Sequence, residues 1–148
     1  MNKIISEPDT TELPDLGINP DKVCHVIAKA RMFDAKEAVS DPDSGSNATD
    51  DGMTDVLEDT ADDPTYKELT SFIRSLNEEE QIWLVALAWI GRGTYDAKEW
   101  DDALRQARDQ HNKRTAEYLV GLPLLGDYLE EGLAAFGENC EAFDMGRM

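Results

Sequence analysis

The sharpest chemical pattern in the sequence is NATDDGMTDVLE, Asn47 to Glu58. A helix–loop–helix calcium site takes oxygen ligands from loop positions 1, 3, 5, 7, 9 and 12 and a glycine at 6. With position 1 at Asn47, the ligands are Asn47, Thr49, Asp51, the Met53 carbonyl, Asp55 and Glu58, and Gly52 takes the turn. The sixth, ninth and twelfth places match well. The others match poorly: Asn47 brings a neutral amide oxygen in place of a carboxylate, Thr49 is a weak ligand, and Thr54 stands where an apolar residue pairs two loops. Pro42 and Gly45 leave no room for an entering helix. The expectation is a solvated acidic loop with a loose attraction for divalent cations; a specific calcium site is the minority alternative.

Other residue types fall into weaker patterns. Cys24, His25, His111 and Cys140 are of zinc-binding type, but none stands at the short paired spacing of a structural site. No GxSxG elbow accompanies the serines, and Cys24 and His25, adjacent on a helix, diverge by about 100°. The sequence therefore points to no cofactor and no reaction class, and the balance leans away from an enzyme. Trp89, Arg92, Trp100 and His111 are the candidate lining of a small-ligand pocket, with core packing the default for the tryptophans. Arg92, at a helix end, suits a cap or a salt bridge to the acidic loop or to Glu78–Glu80. Arg105, Arg108, Lys113 and Arg114, in RQARDQHNKR, are the one basic concentration. They are expected to pair with the acidic stretch 40–64, with a docking face for a protein partner as the alternative reading.

These groups need elements to hold them. Pro20 suits a first helical turn after Asn19, and Val23, Val26, Ile27, Ala30 and Phe33 follow at helical spacing, which gives an amphipathic helix of about 20 residues. Asp63 caps a second helix at Pro64, with Tyr66, Leu69, Phe72, Ile73 and Leu76 on one face. Asn77 and Glu80 form a capping box ahead of Ile82–Ile90, nine apolar residues in a row. That helix, about 78–91, is expected at the centre, stopped by Gly91 and Gly93. Trp100, Ala103, Leu104, Ala107 and His111 make a further stripe, and Tyr118, Leu119 and Leu122 either continue it or follow a break near Asn112. A last helix starts at Pro123 and closes at Gly137. The class is all-α, a compact bundle of five to six helices around the central apolar one. The organisation is a flexible lead-in over 1–18, one helical domain over 19–137 and a loose tail over 138–148. Within the domain, residues 40–64 hold nine Asp or Glu and no Lys or Arg, and read as a long mobile acidic loop.

The whole-chain numbers narrow the partners. At 148 residues the chain is one ordinary domain, and its formal charge of −18 opposes phosphate backbones and anionic lipid. Nucleic acid and membrane are excluded as expected partners, and a nine-residue apolar run falls far short of a bilayer span. The opening MNKIISEPDTTELPD turns acidic before any apolar stretch develops, so the expected setting is cytoplasmic, with both cysteines as reduced thiols. A Cys24–Cys140 bridge stays open on the sequence alone.

LVALAWIGRG, the Glu99–Trp100 pair and TAEYLVGLPLLGDYLEEGLAAFG, with its YLxGxPLLxxYLEEGL signature, resemble a bacterial family known only as a domain of unknown function, number 3775 in that series. The resemblance runs from about Ile18 to Gly137. It implies a compact, cytoplasmic helical protein and brings no activity, cofactor or site residue with it. Glu130 and Glu131 of that signature are surface carboxylates or partners for Arg105 or Arg108. The functional expectation is an adaptor or regulatory module for an unknown protein partner, with self-association into a dimer as a further expectation. The alternative is a small-ligand binder or enzyme with its pocket near Trp89, Arg92, Trp100 and His111.

Overall fold

The computed structural model describes residues 14–40, 63–141 and 143. The acidic stretch and the calcium-like residues Asn47, Thr49, Asp51, Asp55 and Glu58 lie outside the described residues. So does most of the lead-in. Six α-helices pack together, and no strand occurs among the described residues: α1 (Pro20–Ser40), α2 (Pro64–Ser75), α3 (Glu78–Arg92), α4 (Trp100–Gln110), α5 (Thr115–Val120) and α6 (Leu125–Ala135). A 3₁₀ turn, Ala97–Glu99, leads into α4.

The helix starts follow local chemistry. Asp63 accepts from the Thr65 N–H at 2.7 Å, and Pro64 fills the first turn, where a missing N–H costs nothing. Asn77 and Glu80 exchange both bonds of a capping box, at 2.7 and 2.9 Å. Every residue from Ile82 to Ile90 is buried, so α3 is the centre of the core. Full burial of each leucine or isoleucine there contributes about 2 kcal/mol.

α3 packs most extensively on α6 and also meets α4; α1 covers α6 and α2, and α2 meets α5. The α3–α6 crossing is made by glycine. A Cβ on Gly91 would stand 1.7 Å from the Tyr128 carbonyl oxygen, and one on Gly132 would stand 2.4 Å from that of Leu87. As α3 advances from 87 to 91, its neighbour on α6 retreats from 132 to 128, so the two helices run antiparallel with backbone against backbone. Gly91 therefore does not stop α3. The helix runs on to Arg92 and ends at Gly93, whose φ of 95° needs glycine.

Three further expectations are resolved. The stripe from Trp100 breaks, with α4 ending at Gln110 and α5 starting at Thr115. The last helix begins at Leu125 rather than Pro123, after Leu124 takes a left-handed φ of 64°. Cys24 and Cys140 are not free thiols: they form a disulfide, with Cα atoms 5.7 Å apart, that ties α1 to the segment after α6. Local spacing could not reveal a pairing across 116 residues. At the other end, Ile18 is buried, and Gly17 lies so close to Trp83 that a Cβ would fall 2.0 Å from its Nε1.

Candidate functional site

A pocket of about 200 Å³ opens where α3, α4 and α5 meet. α3 supplies Val85 and Trp89, one turn apart on the same face. α4 supplies Ala107 and Gln110, and the link after it supplies His111, Asn112 and Arg114. α5 closes the wall with Thr115 and Tyr118.

Hydrogen bonds fix these walls. The Trp89 indole N–H donates to the Tyr118 hydroxyl at 2.8 Å, and the same indole stacks on Tyr95 with centroids 5.9 Å apart. Tyr118 thus spends its acceptor on Trp89 and keeps its own proton to donate. The link between α4 and α5 is folded on itself: the Arg114 N–H donates to Asn112 Oδ1 at 2.7 Å, and the Thr115 hydroxyl donates to the Asn112 carbonyl at 2.8 Å.

His111 is held by a neighbour that dictates its tautomer. The Gln81 amide nitrogen donates to the carbonyls of Ile73 and Leu76, at 3.1 and 3.0 Å, which satisfies two carbonyls at the end of α2. With its nitrogen so committed, Gln81 presents its oxygen to His111 Nε2 at 2.9 Å. An amide oxygen only accepts, so His111 carries a proton on Nε2. Its Nδ1 lies 3.7 Å from Glu78 Oε2, an ion pair only when the ring is protonated.

The charges around the pocket are mostly spent on each other. Arg74 bonds Glu117 on the neighbouring turn of α5, leaving Glu117 Oε1 buried with no partner among the described residues. Burial alone would raise the Glu117 carboxyl; its backbone N–H, Arg74 and the charge of Arg114 outweigh this and hold it below the usual range. Arg108 grips Glu79 with two bonds, at 2.9 and 3.3 Å, and that grip lowers the Glu79 carboxyl. Arg105 pairs with Asp101 and Asp102 on its own helix. Among the described residues Lys113 and Arg114 make no ion pair.

The candidate residues read from sequence therefore separate. Trp89 and His111 share the pocket. Arg92 and Trp100 do not line it: the exposed Arg92 donates to the Thr94 hydroxyl at 3.0 Å, not to any of Glu78–Glu80, and Trp100 packs half-buried on the core at the start of α4. The basic group separates too. Arg105 and Arg108 are tied to α4 and α3 carboxylates, Lys113 is exposed, and Arg114 belongs to the pocket. Glu130 pairs with Arg31 at 2.6 Å, not with Arg105 or Arg108. Tyr118, Thr115 and Asn112 are not legible as pocket residues from the sequence, because the break between α4 and α5 is what brings them beside Trp89. The described residues hold no group of three or more His, Cys, Asp or Glu placed to bind a metal ion. A second depression, over residues 15–20, carries Asp15, Glu80 and Glu138, of which Glu80 is already bonded to Lys22 at 2.7 Å.

No curated protein and no solved structure matches the chain significantly. Residues 66–138 match the model of a family described as a protein of unknown function, DUF3775. The match is shorter than the resemblance from Ile18 to Gly137. It spans α3 to α6 and most of α2, takes in the pocket and both crossing glycines, and leaves out α1 and both cysteines. Residues 66–138 are a DUF3775 domain, and α1 is packed on it from outside the matched stretch.

Proposed function

We propose that this domain is a binding module that takes a small molecule into the pocket between α3, α4 and α5. The observation that carries the reading is the pocket itself: a concave site whose Trp89, His111 and Tyr118 walls are each held by a hydrogen bond. Binding sites of this kind pair an apolar floor with a few placed polar groups. The size favours a ligand built on a single ring, since a cavity of about 150 Å³ is enough for benzene. The test is a fragment screen on the whole chain by amide and indole NMR. Fragments that shift the Trp89 indole N–H and the 111–118 amides together support the reading. A library that leaves those signals still while shifting others overturns it.

The second reading is the adaptor: an unknown protein partner, or a second copy of the chain, docked on a helical face. It keeps one specific observation. Leu124 is 53% exposed and holds a left-handed backbone that leucine adopts at a cost. The other large exposed apolar side chains, Met32 and Tyr118, stand on α1 and α5, and Tyr118 already serves the pocket. Light scattering over a concentration series tests the dimer form: a constant monomer mass removes it. The Cys24–Cys140 bridge pulls against the cytoplasmic setting, because reducing compartments open such bridges. No helix among the described residues is long and apolar enough to cross a membrane.

A further inference from the structure

The charge in the pocket is the reverse of the charge of the chain. Asp and Glu make up 32 of 148 residues and set a formal charge of −18, yet none of the residues lining the pocket is acidic. Arg114 lines it and makes no ion pair among the described residues, although carboxylates neutralise most of the other arginines. It feels the charge of Glu117, but Arg74 holds that carboxylate. An arginine with no carboxylate bonded to it among the described residues is a site for one to come from outside.

Three groups of the lining offer donors of the same sign. Tyr118 accepts from Trp89 and has its hydroxyl proton left over. Asn112 uses its side-chain oxygen on the Arg114 N–H, which leaves its amide N–H₂. Arg114 offers guanidinium donors alone. These three donors call for a ligand that carries acceptors, and the Trp89 and Val85 walls call for a flat apolar body. Resting on the pocket reading above, we infer that the ligand is a small aromatic carboxylate, its ring against Trp89 and its carboxylate bonded to Arg114 and Tyr118.

The experiment uses three probes of one shape on the full chain: benzoate, benzamide and benzylammonium. Each is titrated while the Trp89 indole and the 111–118 amides are followed, in the native protein and in Arg114→Gln. Arg114 is exposed and makes no ion pair among the described residues, so Arg114→Gln is expected to fold, and an unchanged melting temperature checks it. The expected result is binding by benzoate at least about tenfold tighter than by benzamide, no measurable binding by benzylammonium, and loss of that preference in Arg114→Gln. Should benzamide or benzylammonium bind as well as benzoate, or Arg114→Gln keep the benzoate preference, the carboxylate inference falls and the ligand site stands. Should none of the three move the pocket signals, both fall.

Discussion

Toward α6, the central helix α3 meets backbone: Gly91 lies under the Tyr128 carbonyl and Gly132 under that of Leu87. Toward α4 and α5 the same helix meets side chains, and a pocket of about 200 Å³ stays open between them. The closed face is antiparallel and without room for one methyl group at either glycine. The open face is edged by polar side chains that bond one another and the nearby backbone. One helix thus gives the fold its tightest contact and the pocket its floor. The matched stretch 66–138 contains both faces, so the glycines that close one and the aromatics that floor the other sit in the same domain. Substitutions on the closed face should cost stability and spare the pocket chemistry; those on the open face should do the reverse.

The largest test is covalent. The Cys24–Cys140 bridge spans 116 residues and fastens α1 over the closed side of the molecule. Closing a loop of that length is worth about 5 kcal/mol in chain entropy. Reduction, or the double change C24S/C140S, should lower the melting temperature by roughly 10 °C. Below that transition the Trp89 and Tyr118 signals should hold. If they broaden together with the signals of α1, the two faces are one cooperative unit and the contrast is lost.

Next comes the crossing. Gly91→Ala puts a methyl carbon where the Tyr128 carbonyl oxygen already is, and only a shift of α6 can relieve it. The expected loss is about 3 kcal/mol, with Gly132→Ala somewhat milder. On the open face, Gln110→Ala removes an exposed rim side chain and should stay within about 0.5 kcal/mol. Urea unfolding of the three variants settles it: equal midpoints for Gly91→Ala and Gln110→Ala would mean the crossing is looser than it looks.

How much of this could be read from the sequence depends on distance along the chain. The caps at Asp63 and at Asn77 with Glu80 are legible because their partners lie two and three residues away. The burial of Ile82–Ile90 is legible because no polar face interrupts it. The functions of Gly91 and of the disulfide are not, since a glycine near a helix end looks like a stop and its real partner, Tyr128, is far along the chain. The pocket is half legible. Trp89 and His111 attract notice by residue type, but Arg92 and Trp100 join them only by proximity in sequence, and Arg92, the last residue of α3, turns to the Thr94 hydroxyl instead. Arg114 was grouped with Arg105 and Arg108 as one basic stretch, and the break at 111–114 sends it to a different surface.

A smaller effect should separate the wall of the open face from its packing. Gln81 links the C-terminal end of α2, through the Ile73 and Leu76 carbonyls, to His111. Gln81→Ala strands two carbonyls and frees the imidazole, for about 1–2 kcal/mol. The sharper readout is the ring. In the native protein ¹⁵N NMR should find the neutral His111 with its proton on Nε2, and in Gln81→Ala a mixture of tautomers. A native ring protonated on Nδ1 would overturn the orientation of Gln81 and with it the way the pocket wall is held.

The smallest expected effect lies on the closed side and has the opposite sign. Burial raises the Asp34 carboxyl, and the charge of Asp127 adds to this against the pull of Arg31. A carboxyl raised in the folded state favours its protonated form there. Its contribution to stability is complete below the unfolded value and is lost as pH rises through the folded one, so at neutral pH the charged Asp34 is a net cost. Asp34→Asn removes that cost and should stabilise the protein at pH 7 by a few tenths of a kcal/mol, on the order of 0.5 at most, because solvent screens a half-buried site. The gain should shrink as pH is lowered toward the ordinary aspartate range. Glu79 and Glu80 work the other way: Arg108 and Lys22 lower them, so their stabilisation is lost in acid. Melting temperatures of Asp34→Asn and the native chain, taken from pH 7 down to pH 4, read the difference directly, since both share the glutamate losses. A gain that stays constant across that range would show that Asp34 strains the α1–α6 contact by its shape rather than its charge.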